Sequence, residues 1–298
     1  MDAAQRSFDL PGVDNVSIHG VICGSGSPVL LLHGYPETHL MWRHIIPTLA
    51  EEHTVVACDM RGYGDSDKPY GAPDHSSYSK RTMAHDMVLV MKQLGFDRFS
   101  VVGHDRGGRV AYRMALDHPD AVDKLVLLDI VPTGDMFAHP SPELAKAIYH
   151  WYFLTQEAPL PDHMIAGARE EYLRIALHIN RFDFEANTGA ETFSQEVYEE
   201  YLRCFDEGTI HGSSEDYRAA EVIDCTLDRE DLVAGRKILA PTLLLWGANG
   251  LVDRYFEPLT CWEPFCEQAT GHTLPCGHFS PEEAPQELLD SLVPFLKD

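Results

Sequence analysis

Phe99-Ser100-Val101-Val102-Gly103-His104-Asp105-Arg106-Gly107-Gly108-Arg109-Val110 decides the fold of this chain. Phe99 to Val102 form a short apolar run of the kind that suits a strand buried on both faces. From Val110 to Leu116 the apolar residues fall at helical spacing. Between the two, Gly103, Gly107 and Gly108 permit a sharp strand-to-helix turn, which forces Asp105 outward at the top of a sheet. The plainer alternative is a glycine-rich turn with an aspartate capping the helix.

Four more runs of the same kind flank this one. Val29–Leu32 leads into His33-Gly34-Tyr35-Pro36, Thr54–Cys58 into Asp59, Leu125–Leu128 into Asp129, and Pro241–Trp246 into Gly247. Between runs, Met83, Met87, Val90, Met91 and Leu94 fall on one face of a helix. Strand alternating with helix predicts an α/β fold with a mostly parallel central sheet and helices on both faces. In such sheets ligands bind at the carboxyl ends of the strands, where these polar residues sit. The alternation lapses between about Thr133 and Leu239, a stretch with helical spacing and no buried-strand run. The expected organisation is a core of residues 1–133 and 240–298, with a helical cap, 134–239, folded over the sheet.

Composition narrows the function. At 298 residues the chain suits one large domain carrying an insert, and 44% hydrophobic residues give it ample core. A formal charge of −24 argues against nucleic acid and against anionic membrane surfaces as partners. The seven cysteines are odd in number and form no CxxC pair, so zinc knuckles and thioredoxin-type sites are not indicated, and free thiols in a reducing compartment are expected. No signal peptide and no membrane-length apolar run is visible, so a cytoplasmic location is expected.

With these motifs in order, the chain resembles the α/β-hydrolase fold, and within it the aspartate-nucleophile branch of dehalogenases and epoxide hydrolases. His33-Gly34-Tyr35-Pro36 is similar to that branch's oxyanion loop, Arg61-Gly62-Tyr63-Gly64-Asp65-Ser66 to the loop after the next strand, and Gly277-His278-Phe279 to its catalytic-histidine loop. The resemblance implies Asp105 as nucleophile, His278 as base, and the backbone N–H groups of Tyr35 and Arg106 as oxyanion donors. The chemistry is coherent. A carboxylate attacks an sp³ carbon and expels a leaving group, and water activated by histidine then cleaves the resulting ester. Two acids could orient His278: Asp129, at the end of the strand after the elbow helix, and Asp253, deep in the loop after the following strand. Asp129 is favoured, because Gly250 stands where the usual motif of that second loop would place an acid.

Arg106 and Arg109 lie three residues apart on one helix face beside Asp105. Two guanidinium groups there are costly to desolvate without an anion between them, and they suit a substrate that carries its own carboxylate. The alternative is that either pairs with a structural acid such as Asp129 or Asp59. Asp105-Arg106 with Arg109 resembles the fluoroacetate (haloacetate) dehalogenase subfamily, as do Tyr149-His150-Trp151-Tyr152 and Glu215-Asp216-Tyr217-Arg218. That resemblance implies His150, Trp151 and Tyr217 as donors to the departing halide, conversion of a short 2-haloacid to the hydroxy acid, no metal or organic cofactor, and a homodimer. Epoxide hydrolysis, with protonating tyrosines drawn from Tyr149, Tyr152 and Tyr217, is the rival on the same scaffold. A non-catalytic ligand-binding homologue would not need the full set of Asp105, Asp129 and His278.

Overall fold

The computed structural model describes residues 5–138, 140–179 and 192–297. Its eight strands are β1 (Arg6–Pro11), β2 (Ser17–Gly24), β3 (Ser27–Leu32), β4 (His53–Cys58), β5 (Phe99–His104), β6 (Val122–Leu128), β7 (Thr242–Gly247) and β8 (Ala269–Leu274). They form one sheet in the order β1-β2-β4-β3-β5-β6-β7-β8. From β4 to β8 every pairing is parallel, and β1 and β2 add antiparallel at one edge.

The five apolar runs became β3 to β7, the inner strands of the sheet. Every residue of β4, β5 and β7 is buried, which is why those runs do not alternate. The register sorts their side chains into two layers. Leu31 pairs with Ala57 and Val102, Val102 with Val126, and Val126 with Leu243, all in the core under one face. Leu30, Val56, Val101 and Leu125 form the matching layer on the other face. Fully burying a side chain of this size stabilises the fold by roughly 1.5–3 kcal/mol. Helices α1 (Lys80–Gln93) and α2 (Asp105–Asp117) cover the second face, with Met83, Met87, Val90 and Met91 of α1 packed inward as their spacing predicts. The C-terminal helix Pro285–Leu296 covers the first face through Leu288, Leu289, Leu292 and Leu296.

Strands β1, β2 and β8 were not anticipated. β1 and β8 are the sheet edges and expose alternate residues, so neither carries a continuous apolar run, and β2 is only partly buried.

Among the described residues between β6 and β7, the regular elements are all helical. Three of them matter below: α3 (Tyr149–Leu154), α4 (Gln195–Cys204) and α5 (Glu207–Ala219).

Candidate active site

The turn from β5 into α2 is as tight as its glycines suggest. A Cβ on Gly103 would lie 2.6 Å from the carbonyl oxygen of Gly107, and one on Gly107 would lie 2.4 Å from those of Leu32 and His33. Asp105, the first residue of α2, has φ of +44°, a left-handed conformation costly for a residue with a side chain. The aspartate is therefore no ordinary helix cap. Its side chain stands at the carboxyl end of β5, and Oδ1 accepts a hydrogen bond from the backbone N–H of Tyr35 at 3.1 Å. Arg106, the other expected backbone donor, follows in the same first turn of α2.

Burial opposes ionisation of Asp105. The positive charges of His278, Arg106, Arg109 and His104 more than offset that, and hold its carboxyl well below the usual carboxylate range.

His278 follows β8, and its Nδ1 lies 2.6 Å from Oδ2 of Asp129. Asp129 is itself held, with φ of +51° and Oδ1 accepting from the Gly247 N–H at 3.0 Å. Asp253 is turned elsewhere: its Oδ1 accepts from Trp246 Nε1 at 2.9 Å. Of the two acids, the structure brings Asp129 to the histidine. Burial disfavours the imidazolium, but Asp129, then Asp105 and Glu37, raise the His278 pKa to about 9. Glu37 gave no sequence signal beyond its place after the oxyanion loop. It is fully buried, and neither carboxylate oxygen has a hydrogen bond among the described residues. It lies 3.4 Å from His104 Nδ1, and the His104 ring packs 4.7 Å from that of His278, centroid to centroid.

The structure corrects the expectation for Arg106. Arg106 is not an open fork awaiting an anion, because Asp216 of α5 already fills it. Nε donates to Asp216 Oδ2 at 3.0 Å, while Nη2 donates to Oδ1 at 2.6 Å and to the Asp216 carbonyl at 3.0 Å. The same carboxylate accepts from Tyr63 Oη at 2.7 Å and pairs with Lys80 Nζ. Among the described residues, only Nη1 of Arg106 remains buried without a partner. Neither Asp129 nor Asp59 pairs with either arginine, since Asp59 is taken by His39 and the backbone N–H of Asp65.

Arg109 differs. Its Nη1 donates to the Val131 carbonyl and to Thr133 Oγ1, both at 3.1 Å, and its Nε is buried with no hydrogen bond. It has no carboxylate in salt-bridge contact among the described residues. Burial, then the neighbouring Arg106, lowers its pKa.

The expected halide donors converge above this pair. The Tyr217 ring lies 5.9 Å from His150 and 5.4 Å from Trp151, and Arg106 sits 4.0 Å over the Tyr217 ring centroid and Arg109 4.6 Å over that of Trp151. No hydrogen bond joins the polar atoms of these three rings to another described residue, and Trp151 and Tyr217 are buried. Burial drives the His150 pKa down to about 4 and that of Tyr217 well above its ordinary value. At neutral pH each is thus a neutral donor. Of the tyrosines that could serve an epoxide, Tyr152 packs on Phe137, Tyr149 packs on His150 at 5.9 Å but is 46% exposed, and Tyr217 alone of the three is buried among these rings.

Sequence and structure comparisons agree with this architecture. Residues 27–285 match the family model for the alpha/beta hydrolase fold. A fluoroacetate dehalogenase from Burkholderia sp. is 46% identical over 97% of this chain and 93% of its own length. A soluble epoxide hydrolase from Corynebacterium sp. (strain C12) is 34% identical over 95% and 94%. The crystal structure of ALR0039, an α/β-hydrolase-type protein from Nostoc sp. PCC 7120, superposes with a TM-score of 0.92 at 46% identity, covering 98% of both chains. The chain belongs to the α/β-hydrolase-fold family. Among the described residues no helix is long and apolar enough to cross a membrane.

Proposed function

We propose that this protein hydrolyses the carbon–halogen bond of a short 2-haloacid, haloacetate to glycolate plus halide, through an ester on Asp105. The observation that carries the proposal is the pairing of two partnerless guanidinium N–H edges, on Arg106 and Arg109, with three partnerless neutral donors, all beside an ionised, buried carboxylate. One set suits a carboxylate and the other a departing halide.

In the proposed cycle, Arg106 Nη1 and Arg109 hold the substrate carboxylate. An Asp105 oxygen attacks the α-carbon, the carbon–halogen bond breaks, and the halide leaves toward His150, Trp151 and Tyr217. His278, oriented by Asp129, then takes a proton from water as that water adds to the Asp105 carbonyl. The Tyr35 and Arg106 backbone N–H groups receive the oxyanion. Collapse returns that proton to glycolate and frees Asp105, and the second proton of the water passes from the Asp105 carboxyl to solvent. Residues 134–239 act as a cap over this site; residues 139 and 180–191 of that range lie outside the described residues. A cytoplasmic homodimer completes the proposal.

The second reading, epoxide hydrolysis, is favoured by the epoxide-hydrolase relative and by the free Tyr217 hydroxyl. Halide release from fluoroacetate and chloroacetate, measured beside diol formation from styrene oxide, separates the two. Turnover of styrene oxide alone would overturn the dehalogenase proposal.

The arginines should respond unequally. A charge-assisted hydrogen bond is worth about 1.5–3 kcal/mol. Arg109→Leu should therefore cut kcat/KM for haloacetate by roughly ten- to a hundredfold and spare the uncharged haloacetamide. Arg106→Leu should do the same and also lower Tm sharply, because breaking a buried ion pair costs about 3–5 kcal/mol and it strips Asp216 of its fork. Equal losses on the charged and uncharged substrates would make both residues structural.

The two candidate acids should also separate. Asp129→Asn should slow ester hydrolysis far more than Asp253→Asn, whose partner is Trp246. Single-turnover decay of the ester reads this, and the reverse order would move the orienting role to Asp253.

A further inference from the structure

His19 of β2, His39 in the helical turn after β3, and Asp59 at the end of β4 come together on the core, and their ligand-capable atoms lie within 4.8 Å of one another. None of the three touches Asp105 or its partners described above. The residues come from three separate elements 20 positions apart, so no motif spacing advertises them.

The details are those of a binding site for a divalent transition metal. Asp9 Oδ1 lies 2.9 Å from His19 Nδ1. A carboxylate on one ring nitrogen fixes the tautomer and leaves the lone pair on Nε2, the usual support of a ligating histidine. His39 Nδ1 and Asp59 Oδ1 are also 2.9 Å apart, about the separation of two cis ligands on one ion with bonds near 2.0–2.1 Å. Both histidines are half-buried rather than sealed, and the rings lie 5.6 Å apart, centroid to centroid.

A second group, Asp65, Glu200 and Cys204, lies alongside, and the charges of Asp65 and Glu200 reach His39. That group is already neutralised by Arg203, which donates to Asp65 at 2.9 and 2.7 Å and to Glu200 at 2.9 Å. Among the described residues no lysine or arginine forms a salt bridge with Asp9 or Asp59. Asp9 and Asp59 thus have only the two imidazoles as ionisable side-chain partners among the described residues, in a chain of net charge −24.

We infer that His19, His39 and Asp59 bind one divalent ion of the zinc, cobalt or nickel class, with Asp9 as outer support and water filling the remaining positions. Two imidazoles and one carboxylate favour these borderline ions over magnesium or calcium, which prefer all-oxygen shells. On binding, the ion replaces the proton shared by His39 and Asp59, and that proton passes to solvent. The site ties the ends of β2 and β4 to the loop after β3. An occupied site should therefore stiffen the core where Asp65 meets Arg203 of α4.

The test is calorimetric titration of chelator-treated full-length protein with zinc chloride, with cobalt chloride as a spectroscopic probe. Native protein should take up one equivalent and gain Tm, and cobalt should give a visible d–d band. His19→Ala and His39→Ala should each abolish the band. Asp9→Asn should weaken binding by roughly ten- to a hundredfold, the usual effect of removing an outer-shell partner. Magnesium chloride should give no comparable gain in Tm. Absence of a stoichiometric event in native protein would overturn the inference, as would zinc binding that persists undiminished in the His19→Ala/His39→Ala double variant. If His39→Ala fails to fold by circular dichroism, His19→Ala alone decides, since His19 lies on a partly exposed strand and, among the described residues, its ring is hydrogen-bonded to Asp9 alone.

Discussion

His278→Gln should convert the enzyme into a trap for its own intermediate. Incubated with chloroacetate, the variant should release one equivalent of halide and stop, and the peptide bearing Asp105 should gain the mass of one carboxymethyl group. Without a base, turnover should fall by at least about 10³–10⁴-fold, the upper range of what one general base contributes. Native protein taken through one turnover in ¹⁸O-water should carry the label in the Asp105 carboxylate, and the glycolate oxygen should come from the enzyme. Label found in glycolate and never in Asp105 would remove the aspartate from the chemistry.

The same pair of residues fixes the pH dependence. Alkylation needs Asp105 ionised, and its pKa lies so low that halide release should be flat across neutral pH. Hydrolysis needs His278 neutral, while in the free protein the His278 pKa is about 9, held up in part by the negative charge of Asp105. Esterification abolishes that charge, so the imidazole becomes more acidic once the ester has formed. The rate of ester decay should therefore rise with pH, with an inflection below 9. An inflection at or above 9 would mean that the two groups are not coupled in this way. In the proposed cycle this arrangement would let the histidine support the anionic nucleophile in the first step and act as base in the second.

The second large effect concerns the leaving group. Trp151→Phe keeps the ring and deletes the N–H. Fluoride needs hydrogen-bond donors as charge develops on it, whereas bromide leaves readily. The substitution should therefore slow fluoroacetate far more than bromoacetate, by about 10² if this donor is worth as much as one oxyanion-hole donor. Tyr217→Phe should act in the same sense with a smaller ratio. Competition between the two substrates in one reaction reads the ratio directly. An equal loss on both would mean that Trp151 only packs against Arg109 and Phe137.

Much of this site is legible in the sequence because its parts end buried strands. Asp105, Asp129 and the oxyanion loop each follow an apolar run, and the run itself announces where the side chain will stand. Asp216 shows what is not legible. It sits in Glu215-Asp216-Tyr217-Arg218, where two acids are adjacent and nothing local says which one faces the elbow. In the structure Glu215 turns to Arg218 and His75, while Asp216 reaches Arg106, 110 positions earlier. Only the packing of α5 beside α1 and α2 makes that choice. Lys80, the first residue of α1, is likewise a lysine that any helix surface could carry until Asp216 meets it. The edge strands escaped notice for the opposite reason: half their residues face water, and their pattern is too weak to distinguish from a loop.

The grip on Asp216 has a consequence for traffic in and out of the pocket. The residue next to it is Tyr217, so α5, the roof of the proposed substrate pocket, is moored to α2, α1 and the loop after β4 by Arg106, Lys80 and Tyr63 at once. Swinging that helix away would pull apart buried opposite charges, a cost of several kcal/mol on every opening. Such a roof does not work as a hinged door. Entry must then rely on small local shifts of side chains, and passage by that route selects for molecules of few atoms. In the proposed enzyme the mooring would thus act as a size filter before any recognition of charge begins.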